Sequence, residues 1–287
     1  MKNARNNIRP LASPAMPVNA QYNQSFFFSS DTEAGAQNVS SDGTRFSVQL
    51  ADPIAIPDGA LACELGVVTA SIWNNSPNIG PGLGPAGVDD NKFQYTTSTA
   101  PAGTYIITLP TGLYSLAAIS SYMSSRFVNN GHAANLFSFS GQAATGLATI
   151  SILTLGDTAH FQQVGTIGSI LGFPSAAIVS TIANQVSFGT TIATLNRNNT
   201  YLISGDLIAG GIPVNSSAAG LIAAIPIVAV PGSQINYTAQ NVLWTPAREL
   251  VGALKSGFSF WLTNERGEAT PTASETWSFT LIIRFVR

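Results

Sequence analysis

The stretch WSFTLIIRF, residues 277–285, alternates large apolar side chains with smaller or polar ones. Successive side chains of a β-strand point to opposite faces. One face of this segment therefore carries five large apolar groups: Trp277, Phe279, Leu281, Ile283 and Phe285. An edge strand would not safely expose so much apolar surface. We therefore predict a strand inside a sheet, paired on both sides, with this face directed into the core of a β-sandwich.

Most of the chain outside this stretch also shows strand patterns. Residues 258–262 (FSFWL) and 46–50 (FSVQL) alternate in the same way, and Asp52 and Pro53 are expected to end the second of these strands. Candidate strands cover residues 46–50, 61–72, 93–97, 104–109, 136–139, 147–155, 186–195, 200–208, 221–230, 235–243, 258–262 and 277–285. About twelve strands lie between the eight of one jelly roll and the sixteen of two. A single roll with additional strands and two rolls in tandem both fit this count.

Two segments follow a helical period instead. The first predicts a helix within residues 113–127, with Ser115 as a candidate N-cap. Its apolar residues recur at three- and four-residue steps: Leu116, Ile119, Met123 and Phe127. The second is shorter and ends at Gly172, a residue suited to the left-handed position after a helix. Its apolar residues are Val164, Ile167 and Leu171. Both apolar stripes are expected to pack on the sheets. The predicted fold class is all-β, an antiparallel β-sandwich with one or two short helices.

The N-terminal region differs from the rest in composition. Residues 10–39 are rich in Ala, Ser, Asn, Gln and Pro, with residues 26–28 (FFF) as their only dense apolar feature. We predict an extended arm over residues 1–40 and a β domain over residues 41–287. Lys2, Arg5 and Arg9 give the arm a basic start. Two interpretations fit these three charges: a frayed terminus with a few charges, and a weak contact with an acidic genome or an inner membrane.

Charge is scarce throughout the chain. Charged residues make up 9% of the sequence, against about a quarter in ordinary soluble domains. Uncharged runs cover residues 93–125 and 207–247, and the most apolar piece, residues 218–230, is 13 residues long, shorter than the roughly 20 that a membrane helix needs. Isolated folded chains need a charged exterior to avoid association. The composition therefore predicts surface that is covered by partners, above all by copies of the same chain.

Catalytic and metal-binding patterns are weak. Asp157 and His160 are close enough in sequence to form a dyad, although a solvent-exposed turn histidine fits the same pattern. Asp89 and Asp90 are adjacent carboxylates that could bind calcium, or ordinary polar residues of a Gly/Pro loop. Cys63 is the chain's single cysteine, so neither an intrachain disulfide nor a cysteine zinc cluster can form. We assign no catalytic, cofactor-binding or metal-binding residue and predict that the chain is not an enzyme.

The order of motifs resembles the small jelly-roll capsid proteins, of the penton or minor capsid type, of the virus lineage that includes Polinton-like viruses, virophages and adenovirus-like elements. Each motif consists of common apolar and turn residues, and their shared order gives the resemblance its specificity. The motifs run from about residue 45 to the C-terminus: FSVQL (46–50) with Pro53, GALACELGVVTASIW (59–73) with Asn74 and Asn75, LPTGLYS (109–115), IGSILGF (167–173), YLISGD (201–206), FSFWL (258–262), Arg266-Gly267 and FTLIIRF (279–285).

The resemblance implies a sandwich of viral jelly-roll type and a structural role in the virion of an icosahedral virus, assembled inside the host cell. The favoured role is the fivefold vertex, or penton, protein, which contacts copies of itself in a pentamer and other capsid proteins, without a cofactor or small-molecule substrate. One alternative is a double-jelly-roll major capsid protein that forms trimeric capsomers. An alternative of another class is a carbohydrate-binding jelly roll, in which Trp73 and Trp244 would form a stacking platform.

Overall fold

The computed structural model describes residues 20–83, 89–196, 198–208, 220–272 and 275–287. These residues form sixteen strands, two α-helices and a 3-10 turn at Arg248–Leu250. In chain order they are β1 (Gln21–Ser29), β2 (Arg45–Ala55), β3 (Ala62–Trp73), β4 (Lys92–Thr97), β5 (Gly103–Thr108), α1 (Leu116–Asn129), β6 (Phe137–Gly141), β7 (Leu147–Ile152), β8 (Thr158–His160), α2 (Gly168–Leu171), β9 (Ala177–Val179), β10 (Gln185–Ile192), β11 (Thr200–Gly205), β12 (Leu221–Pro226), β13 (Gln234–Thr238), β14 (Thr245–Pro246), β15 (Leu254–Asn264) and β16 (Ser278–Val286). The pairings between these strands are antiparallel.

Two sheets form the larger part of the fold. One has five strands, with the path β1-β16-β3-β13 and the short strand β14 also paired with β3, and the other has four strands, ordered β12-β11-β15-β2. When the strands are numbered without β14, the orders read 1-8-3-6 and 5-4-7-2. The first strand thus pairs with the eighth, the second with the seventh, the third with the sixth and the fourth with the fifth. An antiparallel ribbon rolled around a barrel gives these pairings, which are those of a jelly roll. The predicted fold class is confirmed, and we call this part the roll.

The C-terminal strand lies where the sequence predicts it. Strand β16 pairs with β1 on one side and with β3 on the other. Phe279, Leu281 and Ile283 are each at most 1% exposed. Phe279 packs on Phe260 of the facing sheet, with ring centres 5.0 Å apart. Apolar side chains from both sheets therefore meet in one core, which is the main source of stability in a sandwich.

The predicted arm over residues 1–40 is wrong for Gln21–Ser29, because this segment is the edge strand β1 of the roll. Its inward side chains alternate, and Phe28 is only 2% exposed. Asn, Gln and Ser at intervening positions gave the segment the composition of an arm and hid this alternation. Residues 1–19, with Lys2, Arg5 and Arg9, lie outside the described residues.

A second unit is inserted between β3 and β11. Residues 76–196, which we call the insert unit, have their own hydrophobic core and two sheets, ordered β5-β4-β8-β9 and β10-β7-β6. These orders differ from those of the roll. The alternative of two rolls in tandem is therefore wrong: in the described chain, one roll carries a unit of different topology inside the connection between two of its strands.

The two predicted helices are present in the insert unit. The Ser115 side chain accepts a hydrogen bond from the Ala118 amide at the start of α1, and Ile119, Met123 and Phe127 are buried. Gly172 ends α2 with a φ of 77°. Among the helices of the described segments, none is long and apolar enough to span a membrane.

Candidate interaction surface

The insert unit has an almost uncharged exterior. Residues 93–196 contain only two Asp, Glu, Lys or Arg residues, Arg126 and Asp157. Asp157 is completely buried. Arg126 is exposed, and its guanidinium donates to the Tyr122 hydroxyl over 2.8 and 2.9 Å. One charged side chain thus reaches the surface in this whole segment.

Asp157 has a structural position, and the dyad considered from the sequence does not form. Its Oδ1 accepts a hydrogen bond from the Ser98 amide over 3.0 Å, which fixes the turn after β4. His160 has different partners: its Nε2 lies 2.8 Å from the Thr96 hydroxyl and its Nδ1 lies 3.1 Å from the Gln162 amide nitrogen. Asp157 and His160 therefore bind different partners and do not pair with each other as an Asp–His dyad would.

Asp89 and Asp90 accept hydrogen bonds from backbone amides of residues 80–82. Asp89 accepts from the Gly82 amide over 3.0 Å, and its other oxygen lies 3.3 Å from the Lys92 Nζ. The Gly82 hydrogen bond, helped by Lys92, keeps the pKa of Asp89 below its usual value. Asp90 is 1% exposed and accepts from the Gly80 amide. Within the described segments, no group of three or more His, Cys, Asp and Glu side chains could hold a metal ion.

Trp73 and Trp244 do not form a common stacking platform. Trp73 is the last residue of β3, whereas Trp244 precedes Thr245, which pairs with Leu65 near the other end of that strand. The distance from Leu65 to Trp73 along the strand is roughly 26 Å. The Arg284 guanidinium also covers the Trp244 ring at 3.8 Å from its centre.

The junction between the roll and the insert unit is closed by polar side chains. The hydroxyls of Ser76 and Tyr201 are 3.0 Å apart, and burial raises the pKa of Tyr201. Asn78 Nδ2 donates to the carbonyls of Tyr114 and Leu195 over 2.8 Å each. A cleft of about 190 Å³ remains beside them, below the roughly 300 Å³ of small ligand pockets. The arrangement attaches the insert unit and does not favour a small-molecule site.

The insert unit exposes several large apolar side chains. Nine such residues lie there, from several elements: Ile106, Val128, Leu155, Val164, Val179, Ile182, Val186, Phe188 and Ile192. Strand patterns alone could not identify them, since an alternating strand does not reveal which face a neighbour covers. The lack of charge was the signal available in the sequence. Together with that lack, these side chains make the exterior of the insert unit the candidate interaction surface.

Comparisons with known proteins found similarity to solved structures. No family model matches the chain, and no curated protein matches it. The chain is similar to the crystal structure of the mavirus penton protein, with 10% sequence identity, coverage of 93% of this chain and 99% of that chain, and a TM-score of 0.48. At this identity and TM-score, the assignment of function rests on the residues of this chain.

Proposed function

We propose that this chain is a structural subunit of an icosahedral virus shell and that it functions in the virion, not as an enzyme. The observation that carries the proposal is the exterior of residues 93–196, where one charged side chain, Arg126, reaches the surface. A free domain with such an exterior would associate or precipitate. A shell subunit has copies and other shell proteins to cover it, and a jelly roll is a common framework for capsid subunits.

The energetics of assembly explain why charge is scarce. A standard interface buries about 800 Å² on each partner. If about half of this area is apolar, the two partners together bury about 800 Å² of apolar surface, a gross term on the order of 20 kcal/mol at roughly 25 cal/mol per Å². Association entropy and imperfect polar pairing remove much of that gain. Charged side chains at the interface would increase the loss, so an uncharged exterior favours assembly.

The finer proposal is the fivefold vertex role. It is supported by the order of motifs that resembles penton proteins. It is also supported by the single roll among the described residues, since a trimeric double-roll capsomer would need a second one. In this role the subunit forms a pentamer and contacts other capsid proteins. The basic residues Lys2, Arg5 and Arg9 are proposed to face the acidic interior of the shell.

The mass of the purified assembly tests this function. Native mass spectrometry and light scattering of the full chain at micromolar concentration should give a closed pentamer. A trimer would contradict the vertex role but would still be consistent with a shell subunit of another kind. A stable monomer with no tendency to associate would overturn the proposal as a whole.

A further inference from the structure

One side of the insert unit ends in two neighbouring edge strands. Strand β9 is the outer strand of the β5-β4-β8-β9 sheet, and β10 is the outer strand of the β10-β7-β6 sheet. Five intervening residues, 180–184, connect them in the chain. The edges of the two sheets therefore meet at this connection, and we call residues 177–192 the β9–β10 edge.

The β9–β10 edge carries a dense set of exposed apolar side chains. Val186 and Phe188 are each 51% exposed, and they project from the face of the sheet opposite to the core. Their partners on β7, Ser151 and Thr149, share that outer face. Further exposed side chains of the edge are Val179 at 50%, Ile182 at 64% and Ile192 at 64%. Five of the large exposed apolar residues thus fall within fourteen consecutive positions, 179–192.

Part of the backbone at this edge is not paired with another strand of the described chain. The later half of β10 is covered by α2, because the Thr190 amide donates to the Gly172 carbonyl and the Thr194 amide donates to the Ile170 carbonyl. In the described part of the chain, no strand pairs with the outer side of residues 185–188. Natural edge strands are commonly protected by Lys, other charges or Pro. Here residues 158–196 contain no Asp, Glu, Lys or Arg.

We propose that the β9–β10 edge is the contact surface for the insert unit of a neighbouring copy of this chain. The inference rests on the proposed shell function and adds to it the surface through which neighbours meet. It makes the insert unit a part of the lateral contact between subunits, not a free projection.

Charge identifies the neighbouring copy as the occupant. A partner with a charged contact surface would lose the hydration of its charges here without gaining an opposite charge. The insert unit of another copy avoids that cost, because its own exterior is equally poor in charge. Area supports the same occupant: five half-exposed side chains offer roughly 400–500 Å², about half of the ~800 Å² that each partner buries in a standard interface. The surrounding Ser, Thr and Gly residues add uncharged area at the rim.

Cysteine labelling of the full chain tests the proposal. Cys63 is the single native cysteine and is buried, so Phe188→Cys introduces one accessible thiol on the β9–β10 edge. Val164→Cys is the control, since Val164 is 81% exposed in a turn of the same unit that lies outside residues 177–192. Maleimide labelling of the assembled proteins should be at least tenfold slower at position 188 than at position 164. In dissociated protein, with folding verified by circular dichroism, the two rates should be within about threefold of each other.

A charge substitution gives a second readout. Phe188→Lys should lower the assembled fraction in sedimentation at least tenfold, whereas Val164→Lys should leave it unchanged. Equal labelling rates in the assembly, or equal effects of the two lysines, would overturn the role of the edge while leaving the shell function intact. If the wild-type chain stayed monomeric, the shell function itself would fail, and the β9–β10 edge would have no neighbouring copy to bind.

Discussion

The indole Nε1 of Trp277 donates a 2.9 Å hydrogen bond to the carbonyl oxygen of Gly43. Gly43 lies in the turn before β2, and Trp277 directly precedes β16. These two strands belong to opposite sheets of the roll. The Trp277 ring also packs edge-on against Phe46 of β2, with centres 4.9 Å apart. One buried side chain therefore fastens the two sheets together at this end of the roll.

Trp277→Phe should destabilise the protein by about 2–3 kcal/mol, because it leaves the Gly43 carbonyl without its donor and opens a small cavity. Trp261→Phe is the control. The Trp261 ring is part-exposed on the outer face of β15, beneath the Arg45 guanidinium at 5.3 Å. This control should cost less than about 1 kcal/mol. Urea unfolding would measure both, and equal losses would contradict a fastening role for Trp277.

Strands of five or more residues with apolar alternation were predictable from the sequence, and the shortest or compositionally mixed ones were not. Strand β16, and β15 from Phe258 onward, place a buried side chain at every second position. Strands β8 and β9 have three residues each, too few to show a period. Strand β2 continues to Ala55 past Pro53, where the sequence predicted an end. Pro53 is tolerated because β2 is an edge strand and its register with β15 shifts nearby.

The candidate surface was only partly predictable. The uncharged run beginning at residue 93 is visible in the sequence and indicates covered surface. The sequence does not distinguish Phe137, which is fully buried, from Phe188, which is 51% exposed, although both lie in short apolar strands. The difference arises from the topology, since the side of the β10-β7-β6 sheet that Phe137 faces packs on the core of the insert unit. Local patterns do not encode such long-range arrangements.

The Cys63 thiol should be almost unreactive in the folded protein. Burial, followed by the nearby carboxylates of Glu64 and Glu249, raises its pKa from 9.0 to about 11. A thiolate is the reactive form, so at pH 8 a disulfide reagent should react at least about a hundredfold more slowly with native than with urea-unfolded protein. Because the folded pKa is raised, the associated stability is complete below pH 9.0 and is lost as the pH rises towards 11. Cys63→Ala should remove this loss, and rapid labelling of native protein would contradict the burial.

Gly172→Ala should destabilise the insert unit more than Gly156→Ala does. Both glycines have left-handed backbone angles, with φ of 77° and 87°. Alanine pays about 1–2 kcal/mol for that conformation at either position. At Gly172 the added Cβ would also collide with the Thr191 carbonyl of β10, whereas at Gly156 it meets nothing within 4 Å. We expect about 2 kcal/mol of additional loss for Gly172→Ala. Thermal unfolding would measure the pair, and a difference near zero would contradict the tight packing of α2 on β10.

Two N-terminal truncations should distinguish the role of residues 1–19 from that of strand β1. Removing residues 1–19 leaves β1 intact, so the melting temperature should stay within a few degrees of the full-length value, while assembly should weaken if these residues face the shell interior. Removing residues 1–30 takes away β1, opens the edge of β16 and deletes Phe28, whose loss alone should cost about 3–5 kcal/mol.

The longer truncation also removes Ser30, whose Oγ accepts from the Trp277 amide over 2.9 Å and whose own amide donates to the Trp277 carbonyl. We therefore expect it to be insoluble or unfolded, because the exposed edge of β16 would pair with other chains. Circular dichroism, melting curves and sedimentation of both truncations give the answer. A soluble 31–287 fragment that melts like the full chain would show that β1 is dispensable, and normal assembly of the 20–287 fragment would remove the proposed role of the basic residues Lys2, Arg5 and Arg9.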